Sequence, residues 1–210
     1  MRGRFLVLEG PDGCGKSTQA GRLVARLAAA GRRPLHLREP GTTPVGERLR
    51  GLLLDPGRER WDPRTEALLF FAARSELLRA VVAPALAEGR DVVCERFTPS
   101  TLAYQGQTPE LEAFVLALDA LVVPPELQPD RVIVLDLAAR EALGRAGDRS
   151  AADGFEARGT AFQERVRNGY RRYAEVRADH TLLIPVAGLD PDQVEQRIAA
   201  GLGLDPEAEA

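Results

Sequence analysis

Lysine is all but missing from these 210 residues: of 28 formally basic side chains, only Lys16 is a lysine and the rest are arginine. Cysteine is scarce as well. Cys14 and Cys94 lack metal-ligand spacing and make no disulfide framework, which excludes a stapled secreted scaffold and suits a reducing cytoplasm. The two histidines, His36 and His180, stand apart in sequence, so no zinc-type cluster is expected. No apolar run approaches the ~18 residues of a membrane span. Met1-Arg2-Gly3 leads straight into a strand, so no signal peptide is expected either. Excess positive charge is also lacking. Acidic side chains outnumber basic ones 31 to 28, and a net charge of −3 gives no global field favouring nucleic acid or an anionic membrane. There is no internal repeat, and the length suits one domain over 1–210 with a sizeable core.

What is present begins at the single lysine. Gly10-Pro11-Asp12-Gly13-Cys14-Gly15-Lys16-Ser17 fits G-x-x-x-x-G-K-[ST], followed by Thr18. In such a loop backbone N–H groups cradle phosphates, and the lysine reaches the β/γ oxygens of a nucleoside triphosphate. The flanks agree. Arg4 to Glu9 reads as a buried strand, and Ser17 to Ala30 as a helix closed by Gly31, so the loop opens onto a positive helix end.

Beyond it, strand and helix patterns alternate. Strands are expected at Pro34–Arg38, Asp91–Glu95, Arg131–Asp136 and Thr181–Val186. Helices are expected at Pro44–Leu54, Asp62–Glu88, Pro109–Leu121, Ala139–Arg145, Arg158–Asp179 and Pro191–Gly201, with an acidic tail over 204–210. This order predicts an α/β fold: a five-stranded parallel sheet with helices on both faces and ligands beyond the carboxyl ends of the strands.

Three constellations narrow the choice of chemistry. The polar run Glu95-Arg96-Phe97-Thr98-Pro99-Ser100-Thr101-Leu102-Ala103-Tyr104-Gln105-Gly106 follows a buried strand. Glu95 could help hold Mg²⁺ through water and Arg96 could clamp a phosphate, although Glu-Arg alone also reads as a surface salt bridge. Phe70 and Arg74 share a helical face, suited to sandwiching and hydrogen-bonding a nucleobase; alone, such a pair is more often core packing beside a surface charge. The stretch from Arg145 to Gly154 is small, polar and doubly arginine-bearing, which suits a flap over a transferring phosphoryl group, although on its own it reads as an ordinary solvated loop.

Taken together these residues resemble bacterial thymidylate kinases, of the P-loop nucleoside monophosphate kinase group. The resemblance rests on four motifs in order: Glu9 to Gln19, Arg38-Glu39-Pro40-Gly41, Leu69-Phe70-Phe71-Ala72-Ala73-Arg74, and Arg96 to Gly106. It implies transfer of the γ-phosphoryl group of ATP, with Mg²⁺, to dTMP on the way to dTTP, by a homodimer in the cytoplasm. Lys16 and the loop from Gly10 to Thr18 would hold ATP, with Ser17 as Mg²⁺ ligand and Arg145 beside the donor. Asp12 would face the acceptor sugar, and Phe70 would stack on thymine with Arg74 on its O4. Ser100, Thr101 and Gln105 would line the base and sugar, Tyr104 would crowd the 2′ carbon, and Arg96 would grip the acceptor phosphate with Arg38 as a second clamp.

Gly13 stands where one branch of the family has a loop arginine, so the resemblance implies the lid type, with a lid near 145–157 and Arg149 as its catalytic arginine. Two positions depart from the family pattern. Glu95 replaces the usual aspartate, and Gly154 follows Asp153 where a further arginine is usual, leaving Arg149 or Arg158 to supply that charge.

Two other classes stay open on these residues: a kinase for another monophosphate, and a protein that binds ATP without turnover. A guanine-reading switch does not, because its Asn-Lys-x-Asp motif needs a second lysine.

Overall fold

A computed structural model describes residues 2–57, 59–147, 154–155 and 158–204. Arg149, Asp153 and residues 205–210 of the acidic tail therefore lie outside the described residues. The five expected strands form: β1 Phe5–Glu9, β2 Leu35–Arg38, β3 Val92–Glu95, β4 Arg131–Asp136 and β5 Thr181–Pro185. They make one parallel sheet in the order β2-β3-β1-β4-β5. Strand β1 is central, so its carboxyl end opens where the connections to either side diverge.

Alternation along the strands splits the interior into two layers. Phe5, Val7, Val92, Cys94, Val132 and Val134 face one way and are covered by helices α3 Pro63–Leu77, α5 Thr98–Gln105, α6 Pro109–Val122 and α8 Thr160–Val176. Leu6, Leu8, Val93, Ile133 and Leu135 face the other and meet α1 Lys16–Ala29, α7 Ala139–Gly147 and α9 Pro191–Gly201. Helix α2, Pro44–Leu54, packs beside α3.

The helix ends follow from local chemistry. Thr43, Asp62, Thr108 and Asp190 each cap a helix through the side chain, and each precedes a proline in the first turn.

Two elements differ from the sequence expectation. The helical region expected over 62–88 is broken by a π-helical segment, Leu78–Val82, before a short α4, Ala83–Ala87. There the Ala83 N–H bonds to the carbonyl of Leu78, and Pro84, without an N–H, cannot continue the regular ladder. The run after β3 is also more ordered than a polar loop: residues 98–105 form α5, starting with Pro99 in its first turn.

Candidate active site

The phosphate loop closes on itself around Lys16. Lys16 is only 7 % exposed, and its ammonium donates to the carbonyls of Gly10 and Pro11, both at 2.9 Å, and sits 3.6 Å from Asp12 Oδ1. Gly10 must be glycine: at φ 133° a Cβ would meet the Leu135 carbonyl oxygen at 2.4 Å and Cys14 Sγ at 2.8 Å. The loop ends at Gly15, also left-handed, and α1 starts at Lys16. Its first-turn N–H groups are left to a ligand, which is the arrangement that binds phosphate.

Pairing of β1 with β3 brings the second constellation alongside this loop. Leu8 lies opposite Glu95, and the Arg96 N–H donates to the Leu8 carbonyl at 2.9 Å. Arg96 has a left-handed backbone, φ 70°, which a non-glycine residue adopts at a cost of about 1 kcal/mol. The side chain explains why the position is kept. Its guanidinium donates to Asp12 Oδ1 at 2.5 Å, Ser100 Oγ at 3.0 Å and the Tyr170 hydroxyl at 2.9 Å. Burial favours the neutral Asp12 carboxyl, but Arg96 and then Lys16 outweigh it and hold the group well below the usual carboxylate range.

Glu9 anchors this cluster from below. It is fully buried, and accepts from the N–H groups of Phe97 and Ser100 at 2.7 and 3.2 Å and from Ser100 Oγ at 2.6 Å. Burial nevertheless pushes its carboxyl up. Burial also raises Tyr104 and Tyr170 well above 10, so both keep their hydroxyl protons at neutral pH.

Glu95 faces the other way. One oxygen accepts from Ser17 Oγ at 2.5 Å and the other lies 2.9 Å from His36 Nε2. A hydroxyl beside a carboxylate is an all-oxygen pair that fits a hard divalent cation. Among the described residues no three His, Cys, Asp or Glu side chains gather into a metal-binding group. A cation at Ser17 and Glu95 would therefore take its other ligands from water and phosphate.

Two clefts open on either side of the loop. One, of about 550 Å³, is lined by Asp12, Glu39, Phe70, Arg74, Arg96, Ser100, Thr101, Tyr104, Gln105 and Phe155, among others. The other, of about 770 Å³, is lined by Gly13, Cys14, Gly15, Thr18 and Arg145, with α9 residues Pro191 and Val194 behind. Arg145 is ion-paired to Glu141 at 2.6 Å. The structure thus brings together Asp12, Phe70, Arg74, Arg96, Ser100, Thr101, Tyr104 and Gln105. It does not bring Arg38 to them: that side chain pairs with Glu47 at 3.2 Å and is absent from the cleft wall.

Arg74 is the buried centre of the first cleft, 1 % exposed between the rings of Phe71 and Phe97, 4.4 and 4.6 Å from their centres. Glu39 accepts from its Nε at 2.9 Å, and Thr101 Oγ1 from its Nη2 at 3.2 Å, while Nη1 has no partner among the described residues. Burial pushes the Glu39 carboxyl up from 4.5 to about 7, against the pull of Arg74. Between those two values the folded chain holds the Glu39 proton and the unfolded chain does not, so stability from this group falls as pH rises through the window. Glu39→Gln should remove that slope. Its Tm relative to wild type should rise between pH ~5 and ~8; a constant difference would mean Glu39 is charged throughout.

Sequence reasoning assigned no role to Glu9, Glu39, Glu66, Phe155 or Tyr170. Glu9 did carry a signal, a lone acidic residue closing a buried strand; Glu39 follows the half-exposed edge strand β2 and carried only its place in the Arg38-Glu39-Pro40-Gly41 motif. The others carried none.

Comparison with known proteins fits this geometry. A family model for thymidylate kinase matches residues 8–198. The chain belongs to the thymidylate kinase family. It is similar to the thymidylate kinase of Pseudomonas fluorescens strain SBW25, 43% identical over 187 residues and 89% of each chain. To that of Pseudomonas entomophila strain L48 it is 47% identical over 174 residues, 83% of each. A crystal structure of thymidylate kinase from Ehrlichia chaffeensis superposes with a TM-score of 0.76 at 27% identity, covering 96% of this chain and 99% of that one. As a member of the thymidylate kinase family the chain is a nucleoside monophosphate kinase on a P-loop fold. Among the described residues, no helix is long and apolar enough to cross a membrane.

Proposed function

We propose that the protein moves the γ-phosphoryl group of ATP to the 5′-phosphate of dTMP, giving dTDP and ADP. The observation that carries this reading is the phosphate loop standing between two clefts, with Asp12 in one wall and Gly13 to Gly15 in the other. Donor phosphates would lie on the loop amides and Lys16, with Pro11 and Thr18 at its edges and Arg145 beside the donor cleft. Arg96 would grip the acceptor phosphate, Asp12 would face the sugar, and Phe70 would stack on the base. Arg74 Nη1 would donate to O4, with Thr101 and Gln105 on the base edge and Ser100 holding Arg96. Tyr104, close to Asp12 at 3.1 Å, would crowd a 2′-hydroxyl. Arg38 would serve as a second clamp only after leaving Glu47.

An acceptor phosphate oxygen attacks the γ-phosphorus while the bond to the ADP oxygen breaks. The nucleophile is already anionic, so positioning and charge neutralisation suffice without a general base. Bound at Ser17 and Glu95, Mg²⁺ would neutralise charge on the donor phosphates. Arg149, outside the described residues, remains our candidate for transition-state charge. Arg158 does not fill that place, since it is ion-paired to Glu66.

We read the chain as one kinase domain with a lid near 145–157, acting in the cytoplasm. Cys14 and Cys94 are buried free thiols, pushed up by burial and hence unreactive, which suits that compartment. We read the protein as a homodimer on the family resemblance.

The test is ADP release from ATP and Mg²⁺ against dTMP, dUMP, dCMP, dGMP, AMP and UMP. Preference for dTMP over every ribonucleotide is expected, and equal turnover across the panel would overturn the reading. Phe70→Ala should raise the KM for dTMP by ~10-fold or more while that for ATP barely changes. Equal effects on both would return Phe70 to core packing.

A further inference from the structure

Glu66 is a carboxylate with no exposure at all, on the inner face of α3. Burial on that scale is tolerated only when both oxygens meet donors. Both do: one is ion-paired to Arg158, and the other accepts from Gln105 Nε2 at 3.0 Å. Arg158 lies 4.4 Å from the ring centre of Phe155 and 5.1 Å from that of Phe162, so aromatic faces shield the pair from water. One contact chain thus joins the start of α8 to α3 and α5.

The consequence falls on Gln105. An amide can turn either its oxygen or its NH₂ towards a neighbour. A carboxylate paired with a guanidinium offers acceptors only, so Gln105 must give Glu66 its NH₂ and keep its oxygen on the other side. That oxygen is buried without a partner among the described residues, on a residue that lines the acceptor cleft. In the same wall Arg74 Nη1 is a buried donor without a partner. Glu39 Oε1 is a third such atom in that wall, on the carboxyl that already accepts from Arg74 Nε. The Gln105 acceptor and the Arg74 donor match the N3–H and O4 of thymine or uracil. Cytosine reverses both, with an acceptor at N3 and an NH₂ at C4.

We propose that Arg158 is a positioning residue for base selection: through Glu66 it sets the direction of the Gln105 amide, so that the cleft takes a pyrimidine carrying N3–H and rejects cytosine. This rests on the cleft being the acceptor site. Arg158 touches no reacting atom, and its effect is carried by the two residues between it and the base.

Arg158→Met keeps the reach of the side chain without its charge, and Glu66→Gln keeps the shape of the carboxylate while allowing Gln105 to turn over. The readout is the ratio of kcat/KM for dTMP to that for dCMP, with the KM for ATP alongside. Each variant should lower the ratio by ~10-fold or more, because a hydrogen-bonding site loses its discrimination when the polarity of one member is released. The change should lie mainly in the KM for dTMP, and Arg158→Lys, which restores a cation, should recover part of it. An unchanged ratio in folded variants overturns the proposal, as does an equal loss for both acceptors, which would make the pair merely structural. If Arg158→Met does not fold, as judged by its melting curve, Glu66→Gln decides. A wild-type enzyme with no preference for dTMP over dCMP would overturn the cleft reading itself. A selective wild type with equally selective variants would overturn only the role of Arg158.

Discussion

Lys16→Ala is expected to abolish useful turnover, lowering kcat/KM by at least ~10³ while the protein stays folded. The ammonium is the only lysine charge in the chain, and it already lies inside the loop that would receive the donor phosphates. In the free protein it bonds the Gly10 and Pro11 carbonyls, so its position is set before a phosphate arrives. A charge held in place costs nothing to reorganise as the phosphoryl group moves, which is why its loss should be large. Folding should survive, because α1 is anchored by Ala20, Leu23 and Leu27 rather than by its first residue. Steady-state rates with ATP and dTMP, paired with a thermal melt, test both halves. A folded variant turning over at near wild-type rates would mean that this loop does not hold the donor.

Arg96→Ala should be nearly as damaging, with kcat/KM for dTMP lower by ~10²–10³ and the KM for dTMP affected more than that for ATP. The guanidinium is the hub of Asp12, Ser100 and Tyr170, and it stands in the acceptor cleft rather than the donor one. Removing it leaves Asp12 with Lys16, at 3.6 Å, as its one cation among the described residues, so the Asp12 carboxyl should titrate at higher pH in the variant. Arg96→Lys should not rescue the loss, since an ammonium cannot span three partners in a planar fork. Arg96→Gly separates the backbone from the side chain: it relieves the left-handed conformation yet should be just as inactive. Selective loss on the ATP side would move Arg96 out of the acceptor site.

The parts of the site that were legible in sequence were local. The phosphate loop is a contiguous run whose glycines and lysine act through backbone geometry and one flexible charge. Phe70 and Arg74 were legible as a pair because one helical turn sets them on one face. Alone, they could not be separated from core packing. Both readings hold in part, since Arg74 is buried between two rings and also lines a cleft. Helix α5 escaped notice because it buries Thr101 and Gln105 on its inner face, which removes the apolar stripe that marks a helix. Arg38 was placed by motif order and ended up paired with Glu47, which lies on the next helix.

The sequence by itself determined the strand–helix alternation, the phosphate loop and the loop's place at the carboxyl end of the first strand, because each depends on residues within a few turns of one another. Only the tertiary structure decided which of the arginines matter where. Parallel pairing of β1 with β3 sets Arg96 against Asp12, 84 residues away in the chain. Packing of α3 against α5 and the start of α8 buries Glu66 and obliges it to take Gln105 and Arg158 as partners. A buried charge must be met by whatever donors the fold brings within reach, and no local pattern in sequence encodes that meeting.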